Sequence, residues 1–202
     1  MVAIVDYGMG NVASVKKALN FLKVDNKITN DFDEINESDS ILLPGVGSFS
    51  QGMQNLKSSG LDALLSDLVL DKKKHFLGIC LGMQLVAQKG YEPDATEGLG
   101  WISGEVIPID FKEVRVPHMG WNNVQILNYT YFKEISNLDY YFIHSYHFVP
   151  EDKSIIAATV NYGEDIVAAI QKDNIFVAQF HPEKSQNAGI QLLKNYFNYV
   201  KS

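Results

Sequence analysis

The run His75-Phe76-Leu77-Gly78-Ile79-Cys80-Leu81-Gly82-Met83-Gln84 decides how this chain folds. Phe76 to Ile79 is a short apolar stretch, the pattern of a strand buried on both faces. It runs into Gly78-Ile79-Cys80-Leu81-Gly82, a G-x-C-x-G turn from strand to helix, with the helix expected to begin near Gly82. Such a turn exposes the side chain at its apex, and the flanking glycines remove clashes that its strained backbone would otherwise suffer. N–H groups at the start of the helix would stabilise a thiolate on Cys80, and the Leu81 N–H would meet an oxyanion. A lone cysteine is more often a small buried apolar residue, so Cys80, the one cysteine present, gains a role only from its surroundings.

The pattern around this run repeats. Val2 to Val5 reads as a buried strand, and Asn11 can cap a helix whose apolar positions Val12, Val15, Leu19 and Leu22 recur at spacings of three and four. Ser40 to Leu43 is another strand, ended by Pro44-Gly45, and Leu61, Leu64, Leu65 and Leu68 mark a second helix. Strand, turn and helix repeated in this way predict a mostly parallel sheet flanked by helices. From about Gly98 several short strands follow: Trp101 to Ile109, Val124 to Leu127, Tyr140 to Ile143, Ile155 to Val160, Ile166 to Ile170 and Ile175 to Gln179. Ala188 to Val200 is an amphipathic helix. The expectation is one α/β domain over residues 1–202, with an antiparallel extension and no internal repeat.

Composition narrows the function. The chain has 202 residues, 46% hydrophobic and 20% charged, with a formal charge of −7. No basic stripe suits a nucleic-acid backbone, since Lys72-Lys73-Lys74 reads as a solvated helix end. No segment approaches the ~20 apolar residues of a membrane span, and no leader is visible. One cysteine forms no internal disulfide, so the expected setting is reducing and cytoplasmic.

A thiol nucleophile needs an imidazole to move its proton and a carboxylate to orient that imidazole. Of the five histidines, His181 lies just past the strand ending at Gln179, in Gln179-Phe180-His181-Pro182-Glu183-Lys184-Ser185. Pro182 favours extended backbone at His181, and residues two apart on an extended segment project to one side. His181 and Glu183 are thus expected as base and orienter, at the same sheet edge as Cys80. His144 and His147, three apart on one strand, would face opposite ways with no third histidine nearby, so no metal is expected. His118 is expected in a loop.

Two other glycine turns remain open on their own evidence. Gly8-Met9-Gly10-Asn11-Val12-Ala13, with Asp31 about twenty residues on, fits a dinucleotide-binding fingerprint; it equally fits a tight turn or a pocket for another ligand. Pro44-Gly45-Val46-Gly47-Ser48-Phe49 can turn peptide N–H groups toward a bound oxygen, or can simply be a loop.

Taken together these blocks resemble the class I triad glutamine amidotransferases, and among them the glutaminase subunits of imidazole glycerol-phosphate synthases. Gly98-Leu99-Gly100-Trp101-Ile102, Pro117-His118-Met119-Gly120-Trp121-Asn122 and His144-Ser145-Tyr146 carry the resemblance across nearly the whole chain. It implies a glutamyl thioester on Cys80, a triad with His181 and Glu183, and oxyanion donors at Leu81 and Val46. It further implies glutamine held by Gly45, Gly47, Gln84, Ser145 and Tyr146, no cofactor, and a rim with Asn11 and Lys184 facing a synthase subunit of β/α-barrel type in a heterodimer. The first glycine turn would then belong to that rim and not to a dinucleotide site. The loop Gln88 to Glu97, Trp101 and His147 depart from the family pattern. They leave open a paralogue that supplies ammonia for amidation of a surface sugar. A stand-alone cysteine peptidase or acyl hydrolase and a non-catalytic binding module are the readings from other classes.

Overall fold

The computed structural model describes residues 1–201. In chain order its elements are β1 (Val2–Val5), α1 (Val12–Phe21), β2 (Asn26–Thr29), α2 (Phe32–Glu37), β3 (Ser40–Gly45), α3 (Phe49–Ser59), α4 (Leu61–Ser66), β4 (His75–Cys80) and α5 (Leu81–Gln84). There follow β5 (Ala87–Gly90), β6 (Thr96–Glu97), β7 (Ile102–Pro108), β8 (His118–Ile126), β9 (Asp139–His144), β10 (Tyr146–Pro150), β11 (Ile156–Tyr162), β12 (Glu164–Lys172), β13 (Ile175–Ala178) and α6 (Gln186–Val200).

The main sheet runs β2-β1-β3-β4-β13-β12-β11-β8-β9. From β2 to β13 the neighbours are parallel. From β13 to β9 they are antiparallel, as the expected extension requires. A second sheet, β10-β7-β5-β6, stands apart from it. The parallel strands are short and apolar because both their faces are covered. Ile4, Leu42, Leu77 and Phe176 share one core with Val15 and Leu19 of α1 and Leu192 and Tyr196 of α6. Their alternates Val5, Leu43, Phe76 and Val177 share the other core with Met53, Leu56 and Leu65 of α3 and α4, and with Phe148 of the second sheet.

Several elements escaped the sequence pattern, each for a local reason. β2 is an edge strand in which only Thr29 is buried, so it shows no apolar run. α3 carries Gly52 at its centre, which reads as a loop; a Cβ there would meet the Leu81 and Leu85 side chains at 3.2 Å. His144 and His147 were expected on one strand, yet the chain leaves the main sheet at Ser145 and enters the second. Asp31 accepts a hydrogen bond from the Glu34 N–H at 3.0 Å and caps α2, which removes the acidic partner of a dinucleotide fingerprint.

β1 lies between β2 and β3, so the strand order reverses there, and a cleft opens beyond the carboxyl ends of the strands. The ends of β3, β4 and β13 meet in that region: Gly45 is in register with Cys80, and Ala178 with Ile79. Phe176 locks this edge from below, fully buried, with ring centroids 4.6 Å from Tyr131 and 6.0 Å from Tyr196. Phe176→Ala is expected to lose about 3–5 kcal/mol of stability, read from the urea midpoint; a loss below about 1 kcal/mol would contradict this packing.

Candidate active site

Cys80 sits at φ 55°, ψ −107°, a conformation that costs strain in an L-residue. Its surroundings force it there. A Cβ on Gly78 would lie 2.6 Å from the Gly82 carbonyl oxygen, and one on Gly82 would lie 1.9 Å from that of Leu43. Only glycines let the strand, the turn and β3 pack this closely. The helix that follows begins at Leu81, one residue before the Gly82 expected, and has a single turn, Leu81–Gln84. The aligned dipole behind Cys80 is therefore short.

The Cys80 sulfur is 3.8 Å from two groups, the Ile143 carbonyl, which can accept its proton, and the Gln179 side-chain N–H. The His181 imidazole is buried and joined to Glu183 through Nδ1 and Oε1 at 2.8 Å. Nε2 of His181 is buried and makes no hydrogen bond, as is Oε2 of Glu183. Burial by itself would lower the imidazole; the Cys80 sulfur and the Glu183 carboxylate outweigh it and raise it to about 9. The imidazolium therefore stabilises the fold fully below the ordinary value of about 6.5, and this contribution is lost as pH rises through about 9.

His181 and Glu183 are brought together as expected, but by a different backbone. His181 is extended, whereas Pro182–Lys184 forms a 3-10 turn that swings Glu183 back beneath the ring. Proline starts such a turn readily because it has no N–H to satisfy. The antiparallel extension bolts the turn down. The His181 N–H donates to the Tyr141 carbonyl at 2.9 Å, the Ser185 hydroxyl to the His181 carbonyl at 2.6 Å, and the Tyr141 N–H to the Ser185 hydroxyl at 3.0 Å. Gln179 and Ser185 received no role from sequence reasoning, although both lie within the quoted block.

A cleft of about 360 Å³ opens beside Cys80, and Val46, Gly47, Leu81, Gln84, Ser145 and Tyr146 line it. Gly45 does not. It pairs with Cys80 in the sheet, and the space for its Cβ is filled by the Tyr7 hydroxyl at 2.1 Å and the Leu81 Cβ at 2.9 Å. The Tyr146 carbonyl is already taken by the Gln84 amide at 3.0 Å and by His144 Nδ1 at 2.8 Å, and the Ser145 carbonyl by the Ile109 N–H. Asn11 caps α1, accepting from the Ser14 N–H at 3.2 Å. Lys184 lies outside the cleft, its Nζ 5.7 Å from the centre of the Tyr141 ring.

Glu92 is a cleft residue that sequence reasoning passed over. It lies in the loop noted as divergent, and nothing in its spacing marks it. Burial raises its carboxyl, and the Phe49 N–H that donates to it acts the other way. His118 opens β8 instead of occupying a loop, stacked on Tyr162 at 3.9 Å, with Nδ1 3.0 Å from Nε2 of His144. A second histidine therefore does lie beside His144, while His147 is on β10 in the other sheet. Among the described residues no group of three His, Cys, Asp or Glu side chains could hold a metal ion.

A cysteine on a strained elbow and a buried imidazole–carboxylate pair at one cleft suit acyl transfer through a thioester. The model of class-I glutamine amidotransferases matches residues 3–199, and the chain belongs to that family. It is 45% identical over 199 residues to the imidazole glycerol phosphate synthase subunit HisH 1 of Campylobacter jejuni, covering 97% of this chain and 98% of that one. The HisH subunit of Pelagibacter ubique is 43% identical over 205 residues, covering 98% and 99%. A glutamine amidotransferase crystal structure superposes over the full length of both chains with a TM-score of 0.79 at 16% identity, which shows the shared fold.

Glu183→Gln removes the carboxylate that helps to hold the imidazolium. The midpoint of His181, followed by NMR of its ring, is expected to fall below about 9; an unchanged midpoint would show that Glu183 does not hold the proton.

Proposed function

We propose that this chain hydrolyses glutamine to glutamate and ammonia through a thioester on Cys80, and delivers the ammonia to a synthase subunit that makes imidazole glycerol phosphate in histidine biosynthesis. The observation that carries the chemistry is the convergence of strained Cys80 and the buried His181–Glu183 pair on one cleft. The relatives, named as subunits of imidazole glycerol phosphate synthase over nearly their whole lengths, support the pathway.

In this reading the Cys80 thiolate attacks the side-chain carbonyl carbon of glutamine. The oxyanion is met by the Leu81 N–H and the Val46 N–H, which flank Cys80 on α5 and after β3. His181 gives its Nε2 proton to the departing nitrogen, and ammonia leaves the acyl thioester. The imidazole then takes a proton from water, the resulting hydroxide attacks the thioester carbon, and the thiolate departs from glutamate. Glu183 keeps the proton on Nδ1 throughout and offsets the charge of the imidazolium.

An amino-acid substrate brings an ammonium group, and Glu92 is the carboxylate lining the cleft. Gln84 contributes its Oε1, since its amide hydrogens go to the Tyr146 carbonyl and to Gln179 at 3.0 Å each. Gly47 and Ser145 complete the walls.

The partner is a synthase subunit of β/α-barrel type, docked over the carboxyl edge of the sheet so that ammonia does not escape to water. Asn11 and Lys184 lie on that rim. Exposed Met119 and Trp121 on β8 support a docking surface beside them, Trp121 standing edge-on to Tyr141 at 5.9 Å, and Tyr141 carrying Lys184. No helix of the described chain is long and apolar enough to cross a membrane.

Cys80→Ala is expected to abolish glutamine-dependent synthesis in the complex, by 10³-fold or more on the order seen for lost nucleophiles, and to leave synthesis from added ammonia intact. Glutamine-driven turnover surviving in the variant would remove Cys80 from the reaction. Growth of a histidine auxotroph lacking its own glutaminase subunit tests the pathway: rescue supports it, and failure by an active glutaminase assigns the ammonia to another acceptor. Glu92→Gln is expected to raise the KM for glutamine about tenfold or more with kcat changed far less; an unaltered KM would free Glu92 of the substrate.

A further inference from the structure

Gln179 is fully buried between β13 and His181, and the amidotransferase reading gives it no task. Its orientation follows from a hydrogen-bond chain that can be ordered without ambiguity. The Tyr146 carbonyl only accepts, so Gln84 presents its N–H groups to it, and His144 carries its proton on Nδ1. His144 Nε2 is then an acceptor, and the His118 Nδ1–H donates to it at 3.0 Å. Gln84 spends its second N–H on the Gln179 carbonyl oxygen at 3.0 Å. The Gln179 NH2 is thereby turned to Cys80, with Nε2 3.8 Å from the sulfur.

An amide N–H donates and cannot take a proton, so it favours the charged form of the thiol over the neutral one. Both forms of the sulfur can accept from it, but the bond to a thiolate is charge-assisted and stronger, while only the neutral thiol can also place a proton on the Ile143 carbonyl at 3.8 Å. We propose that Gln179 is a positioning residue that holds the Cys80 sulfur as a thiolate, its amide aimed by the Tyr146 carbonyl through Gln84. The consequence for turnover rests on the glutaminase reading; the effect on the sulfur does not. The hydrogen-bond chain also ties the nucleophile to the β8–β9 pair that carries the exposed Met119 and Trp121.

Cys80 is the chain's one cysteine, so alkylation by iodoacetamide reports on it alone. Gln179→Met keeps the length of the side chain and removes the donor. The other titratable groups around the sulfur stay in place: His181 backed by Glu183, Tyr7 beyond β1, His144 on β9 and Glu92 across the cleft. The pH midpoint of alkylation is expected to rise by about one unit, roughly a tenfold slower reaction at neutral pH, and kcat for glutamine to fall in the complex with little change in KM. A folded variant alkylated with the wild-type midpoint overturns the proposal. In the unaltered protein the Gln179 side-chain NH2 resonance is expected to move as the sulfur titrates, and a flat signal overturns it even if the variant does not fold. Protection of wild-type Cys80 by glutamine tests the glutaminase reading separately. Protection with an unmoved midpoint sinks only the role of Gln179; no protection with a raised midpoint sinks only the substrate.

Discussion

Close backbone approach between β3, β4 and α5 is the constraint on which the site depends. The Leu43 carbonyl occupies the space a side chain on residue 82 would need, and the Gly82 carbonyl presses on Gly78 in the same way. With glycine at both positions, the chain turns inside one residue, and Cys80 takes up the positive φ that the turn demands. The strain stays because packing over-determines it: Leu81 and Met83 are buried, and Gly45 is wedged between Tyr7 and Leu81. A looser elbow would let Cys80 relax, and the sulfur would leave the line between the cleft and His181.

The antiparallel extension, which adds no apex of its own, determines where the base goes. Tyr141 of β9 receives the His181 N–H and meets the Ser185 hydroxyl, so the 3-10 turn carrying Glu183 is anchored at both ends to a strand far away in sequence. The Ile143 carbonyl of the same strand touches the sulfur, and His144 at its end reaches the Tyr146 carbonyl. β9 thus contributes to the surroundings of Cys80, of His181 and of the cleft wall together. The surface it presents with β8 carries exposed Met119 and Trp121. A partner seated there would press on a strand that touches all three, which is a physical route for docking to alter the chemistry.

Much of this was legible in the residues. The parallel strands announce themselves because burial on both faces admits only short apolar runs. The elbow is legible because two glycines flanking a cysteine have few other uses at the end of such a run. His181 and Glu183 could be paired from Pro182 alone, although the backbone that joins them is a turn and not an extended segment. What misled was one-dimensional: Asp31 has the spacing of a ribose ligand yet caps α2, and His118 looks like a loop residue yet opens β8 with its ring stacked on Phe142 and Tyr162. β2 was missed because an edge strand buries too little to show a period, and α3 because Gly52 at its centre interrupts the stripe that Phe49, Met53 and Leu56 bury.

The sequence by itself determined the apolar strands β1, β3, β4 and β13, the turn at Cys80 and the local His–Glu pair, since each is fixed by residues within a few positions of one another. Only the tertiary structure decided which side chains meet across distance. Gln84 and Gln179 are 95 residues apart and His118 and His144 are 26 apart, and no local pattern specifies either contact. Glu92 enters the cleft, and Gly45 leaves it, for the same reason. Strand register and sheet order place those atoms, and these are set by the packing of the whole core.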